Sequence, residues 1–163
     1  MSTFTFLAAT SAVLSSASFM PVTLTEQFQV TPSPSFHAVR PRYGRELDWS
    51  ASLGGADRNK DGVRDDIAAL IGENVILKQN RRQLRTYAAL ERTLIALPMD
   101  ESARAMASSL AAEMAAIRET PLESRELLSV RDVHHFGLNT SDRYQAYVAR
   151  VNFFGLTEAL PLN

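Results

Sequence analysis

A chain of 163 residues is about one domain long with room for a terminal extension, because domains cluster at roughly 100–150 residues. Its 45% hydrophobic and 21% charged residues can build a packed core, which excludes wholesale disorder and collagen-like or coiled-coil composition. Seventeen basic against eighteen acidic residues leave a net charge of −1, and cysteine is absent, so there is no global field for nucleic acid or an anionic membrane, and disulfide, thiolate-zinc, iron–sulfur and cysteine-nucleophile chemistry are all excluded.

The charge is unevenly spread. Every Lys and Arg lies at Arg40 or later, and Glu26 is the only charged side chain before it. Residues 4–19 form an apolar, small-residue stretch of h-region length with a small-x-small site at Ser15 and Ala17, so residues 1–17 are expected to be a signal peptide, or else a loose tail. A basic n-region is missing. Interruption by Thr10, Ser11, Ser15, Ser16 and Ser18 argues against a stable membrane span, which needs about 20 predominantly apolar residues. The expected location is therefore extracytoplasmic, either periplasmic or secreted. Residues 18–50 read as an irregular, partly extended arm rich in Pro, Ser and Thr, in which Val22, Leu24, Phe28 and Val30 alternate with polar residues at strand period. Its aromatics Phe28, Phe36, Tyr43 and Trp49 are expected to anchor it on the helices that follow.

The sharpest local feature opens the region 51–163. Asp57, Asn59 and Asp61 alternate ahead of Gly62, then come Val63, Asp65 and Asp66. Oxygen ligands at loop positions one, three and five, a glycine at six and a backbone carbonyl at seven are what a hard calcium ion uses, and Asp65 stands at position nine, where a ligand often acts through water. A complete EF-hand would have glutamate at position twelve; Ala68 is there, and Arg64 replaces the usual aliphatic residue at eight. Asp65 or Asp66 would have to close the shell. The same residues would also build Asx-turns and complement the next helix dipole with no ion. In either case the role is structural, tying the arm to the start of the helix.

From Asp66 onward the apolar period becomes helical. Ile67, Leu70, Ile71, Leu77, Leu84, Tyr87, Ala88, Leu94 and Ile95 predict one long helix or two consecutive ones up to Pro98, with Gly72 as a candidate break. Asp100 is a candidate N-cap for a second segment striped by Ala103, Met106, Ala107, Leu110, Met114 and Ile117. A third is expected from Leu122 to His134, and a fourth opens at Asn139 and Thr140 with Tyr144, Tyr147, Val148, Val151 and Phe154 on its stripe. Short connections favour antiparallel neighbours, so the expected fold is mainly α, an up-and-down bundle of four to five helices preceded by the arm.

The loop from Asn59 to Ile67, together with Asn139, Thr140, Arg143, Ala146 and Tyr147 downstream, resembles a group of small, exported, uncharacterised bacterial helical proteins. In them a D-x-N-x-[ND]-G-V-R-D-D-[IV] loop opens a helical domain and an N-T-x-x-R-x-x-A-Y segment closes it. The loop is also similar to calcium loops of dockerins, thrombospondin type 3 repeats and EF-hands over ten residues. The resemblance implies an extracytoplasmic location and calcium, and carries no activity. Arg64, Asn139 and Arg143 would owe their place in the pattern to packing or to an ion pair with the loop.

Two other groups stand out. His134 and His135 are adjacent, so on a helix they point about 100° apart and are poor ligands for one metal. They read as helix C-terminal residues, with a hydrolase base assisted by Asp132 or Glu126 as the alternative. Lys78, Arg81, Arg82, Arg85 and Arg92 outweigh Glu91 on the first long helix; they read as a solvated face, with a protein partner on the Arg81, Arg82 and Arg85 face as the alternative. Asn80 and Arg81 interrupt the apolar stripe, so one is expected to be buried against a carboxylate, or the helix to bend. The leading expectation is an exported, calcium-stabilised binding or structural module in preference to an enzyme, with Asp57, Asn59, Asp61, Val63, Asp65 and Asp66 as metal residues.

Overall fold

A computed structural model describes residues 46–123 and 126–160. The expected signal segment, the strand-like run, and Phe28, Phe36 and Tyr43 lie outside the described residues. Among the described residues the protein is mainly helical and has no strand. Its elements are α1 (Asp65–Asn74), α2 (Lys78–Ala96), a 3-10 turn (Glu101–Ala103), α3 (Arg104–Glu119), α4 (Val130–Gly137) and α5 (Ser141–Phe154). No described helix is long and apolar enough to cross a membrane.

Helix α2 is the central strut and packs against each of the other four helices. Leu84, Tyr87, Leu94 and Ile95, placed on one side by the helical period, are all buried. Burying one such side chain contributes about 1.5–3 kcal/mol. On α3 the buried positions are Ala107, Ala111 and Met114, led by Ala103 in the preceding turn. Small side chains let α3 approach α2 closely. Met106, expected in this stripe, is exposed.

The helix ends explain where the expected segments had to be revised. The first long pattern divides at Val75–Leu77, past Gly72. There Glu126 accepts from the backbone N–H groups of Ile76 (2.9 Å) and Leu77 (3.0 Å) and from Asn80 Nδ2 (2.9 Å). Asn80 is buried and also accepts from the Glu123 N–H, so the polar interruption of the stripe is buried against a carboxylate. The segment expected from Leu122 starts as a helix only at Val130. Ser129 and Asp132 form a reciprocal capping box there, which fixes the helix start through two orphan N–H groups. Asp100 caps the 3-10 turn before α3 by accepting from the Ala103 N–H, and Thr140 caps α5 by accepting from the Arg143 N–H. At its other end α5 stops at Gly155, after which Leu156 and Leu160 fold back into the core. Before α1 the chain is anchored by Leu47, which is buried, whereas Trp49 is 50% exposed. Of the expected aromatic anchors, Trp49 does not serve as one; at this point of the chain Leu47 and, beside it, Asp48 make the attachment.

Candidate functional site

Two buried arginines organise the end of the bundle where the acidic loop, the segment 47–56 and the α4–α5 junction meet. Arg143, in the first turn of α5, is 0% exposed. Its guanidinium donates from Nε and Nη2 to the Ser52 carbonyl (3.0 and 2.8 Å), from Nη1 to Asn139 Oδ1 (2.7 Å) and the Asp48 carbonyl, and from Nη2 to Asp48 Oδ2 (3.3 Å). Arg64, at the N-cap of α1, forms a two-pronged pair with Asp66 (2.6 and 2.8 Å). It also reaches across to the carbonyls of Phe136 and Gly137 and to Asn139 Oδ1. A planar five-donor cation suits this task, because one side chain satisfies several buried acceptors at fixed angles. Burial and the neighbouring Arg64 pull the Arg143 pKa down, while Asp48 and Asp66 pull it up. Gly55 (φ +62°) makes room for this arrangement: a Cβ there would lie 2.2 Å from Arg64 Cδ. Arg64, Asn139 and Arg143, singled out by the sequence pattern, therefore form one polar core that docks residues 48–52. Burial raises the Asp48 pKa, but hydrogen bonds from Ser50 and the Ala56 N–H, with the Arg143 charge, outweigh it and bring it to about 2.

The acidic loop is wound around its first residue. Asp57 accepts from the N–H groups of Asp61 (3.2 Å) and Gly62 (3.1 Å), and Asp61 accepts from the Val63 N–H (2.9 Å). Asn59 lies between them, its Oδ1 accepting from the Asp61 N–H and its Nδ2 donating to Asp61 Oδ2. Lys60 and Gly62 have positive φ, +57° and +86°, and glycine adopts the latter without steric cost. The Asp61 carboxyl is held below its usual range, chiefly by the Val63 N–H, with burial opposing and Asn59 and Arg85 helping.

Each loop carboxylate also has an arginine or a backbone partner. Asp57, whose side chain is 6% exposed, pairs with Arg92 Nη1 at 2.9 Å, and the same arginine donates to the Gly54 carbonyl. Asp61 pairs with Arg85. Asp65 accepts from the Arg58 N–H, and both Asp66 oxygens accept from Arg64, with Oδ2 also taking the Asp48 N–H at 2.7 Å. The two adjacent acids therefore have different tasks: Asp65 closes the loop and Asp66 belongs to the arginine core. Among the described residues no three His, Cys, Asp or Glu side chains are gathered as a metal site. Within the loop the side-chain oxygens of Asp57, Asn59 and Asp61 accept from the loop's own N–H groups, and Asp65 lies alongside through the Arg58 N–H.

The two histidines separate as their helical spacing requires. His135 is exposed, whereas His134 sits against the buried Glu91 of α2, its Nδ1 in hydrogen-bond contact with the carboxylate and 3.3 Å from the Tyr87 hydroxyl. The Tyr147 ring meets it edge-on at 5.1 Å. Burial raises the Glu91 pKa; His134, Arg64 and Arg118 oppose it. Asp132 is used in the capping box and Glu126 at the start of α2, so the carboxylate beside His134 is one that the sequence reading did not select. Glu91 and His134 are 43 positions apart, and no local pattern links them. An adjacent cavity of about 20 Å³, lined by Glu91, Arg64, Arg92 and Gly137 among others, has room for about one water. Arg81 and Arg82, from the basic face, are exposed. No family model, curated protein or solved structure matches the chain.

Proposed function

We propose that the chain is an exported helical module, stabilised by calcium in the Asp57–Asp65 loop, that binds or braces a partner instead of turning over a substrate. The observation that carries the calcium reading is the winding of the loop about Asp57, with the N–H groups of Asp61 and Gly62 on its carboxylate. Asp57, Asn59 and Asp61 would supply side-chain oxygens, Val63 its carbonyl, and Asp65 a ligand through water, an all-oxygen set suited to a hard cation. Asp66 is less suited, because Arg64 and the Asp48 N–H already occupy both its oxygens.

A cation in the loop competes with Arg92 for Asp57 and with Arg85 for Asp61. That competition favours weak affinity, in the range of about 10⁻⁴–10⁻³ M used by extracellular calcium modules, which fits an exported protein. The test is a thermal melt of the full chain in calcium, in magnesium and in chelator, beside an Asp57→Ala, Asp61→Ala double variant. Calcium at about ten times its Kd should add about 1.4 kcal/mol, magnesium less, and the variant should lose the effect. Identical melts in all three conditions would reduce the loop to a set of capped turns.

The hydrolase reading is favoured by one contact, that of His134 with Glu91, which would orient the imidazole as a general base. Esterase activity towards p-nitrophenyl acetate that disappears in His134→Ala and persists in His135→Ala would support it, and equal activity in both variants would refute it.

A further inference from the structure

The basic cluster on α2 lines an open, shallow groove of about 610 Å³ beside the acidic loop, a form suited to an extended ligand lying along the helix and not to an enclosed small molecule. Its walls carry Lys78, Arg81, Arg82 and Arg85 against a single carboxylate, Asp61. Asp61 pairs with Arg85, while Lys78, Arg81 and Arg82 have no carboxylate partner among the described residues. Arg81 donates from Nε to the Val75 carbonyl, and all three side chains are exposed, so their charge is open to a ligand.

Shape narrows the class of ligand. The lining runs along α2 from Lys78 to Thr93, fifteen residue steps and so about 22 Å at 1.5 Å per residue. An extended peptide of six or seven residues, at about 3.3 Å each, spans that length. The cations lie toward the N-terminal half of the helix, and Val63, Ala89 and Leu90 supply apolar wall further along. No aromatic side chain lines the groove among the described residues, so it lacks the stacking platform that single-stranded nucleic acid uses.

We propose that this groove is the partner site of the module and takes an extended acidic segment of another protein, with carboxylates on Lys78, Arg81 and Arg82 and apolar side chains against Ala89 and Leu90. The pairing of Arg85 with Asp61 is the internal example of the same contact. The inference rests on the reading of the chain as a binding module and does not require calcium in the loop, although Asp61 and Arg85 border both sites.

The test is fluorescence anisotropy of the full chain with a labelled peptide of three Glu-Leu repeats, at low and at physiological salt. Decathymidylate and inorganic phosphate serve as competitors. The triple variant Lys78→Gln, Arg81→Gln, Arg82→Gln changes exposed side chains, of which Arg81 also donates to the Val75 carbonyl; its circular dichroism should match the parent, and the double variant Lys78→Gln, Arg82→Gln, which leaves that bond in place, should weaken binding in the same direction. We expect saturable binding that weakens about tenfold between the two salt levels and about tenfold in the triple variant, as rim charges do when they steer a partner. Undiminished binding by the triple variant, no binding by the parent, or displacement by decathymidylate or phosphate at concentrations below those of unlabelled peptide would each overturn the proposal. Running both arms in calcium and in chelator separates the two readings. Peptide binding without any calcium effect on the melt would sink the calcium reading alone, and a calcium effect without peptide binding would sink the groove alone.

Discussion

Replacing Arg143 by alanine removes the donor that holds residues 48–52 on the helices. The side chain donates twice to the Ser52 carbonyl, and once each to the Asp48 carbonyl, the Asp48 carboxylate and Asn139 Oδ1. After truncation, carbonyls paired with a cation face a cavity, and the Asp48 carboxylate keeps its Ser50 partners and the Ala56 N–H. Arg143 is fully buried but the Asp48 carboxylate left behind is 21% exposed, so the loss should lie at or below the about 3–5 kcal/mol of a fully buried charge pair, still a large part of the roughly 5–15 kcal/mol that holds a domain of this size together. Arg143→Lys keeps the charge but not the planar fork, so it should cost about 1–3 kcal/mol. Urea unfolding followed by circular dichroism measures both. Hydrogen exchange over residues 48–56 adds a local readout: protection there should fall in Arg143→Ala even at low urea. An alanine variant within about 1 kcal/mol of the parent would mean that the guanidinium is replaceable by water and that the polar core is incidental.

Acid should weaken the same junction. The Asp48 carboxyl has a folded pKa of about 2 against an ordinary 3.8, so its contribution is complete above about pH 4 and is lost as the pH falls through that interval. The difference corresponds to about 2 kcal/mol. Asp48→Asn should flatten the acid limb of stability against pH, and an unchanged limb would refute the assignment. Glu91 has the opposite sign. Burial raises its pKa in the folded state, so the folded protein binds more protons than the unfolded one above the ordinary glutamate range, and stability declines as pH rises through the folded value. Glu91→Gln should remove that decline, which urea titrations from pH 4 upward would detect; a slope that persists in the variant would assign it to another group.

Features confined to one or two turns were legible in the sequence. Asp100 acts as a cap where capping chemistry placed it, and of the several capping side chains at the start of the last helix Thr140 is the one that caps it. The stripes of α2 and α5 were read from apolar spacing alone, and of the outcomes open for the polar interruption (Asn80 or Arg81 buried against a carboxylate, or a bend) the structure has Asn80 buried against Glu126. The Ser129–Asp132 capping box was also a local signal, but Leu127 and Leu128 just before it extended the apolar pattern and masked the true start of α4. Leu127 proves exposed and Leu128 buried, because apolar content records hydrophobicity and not direction.

Other features depend on residues far apart. The break between α1 and α2 coincides with a carboxylate about fifty positions later that satisfies the Ile76 and Leu77 N–H groups, and no Gly or Pro marks the spot. The resemblance drew attention to Arg64, Asn139 and Arg143 without showing that they meet at Asp48 and Ser52. Likewise the sequence placed His134 on a helix but could not supply Glu91 as its neighbour. By itself, then, the sequence determined the helical class, several helix ends and the oxygen-rich loop, since backbone hydrogen bonding and capping act over three or four residues. Which buried charge faces which, and whether a basic helix face becomes a groove, was decided only when the helices packed, because desolvation and pairing of charges depend on neighbours that the chain brings together from tens of positions away.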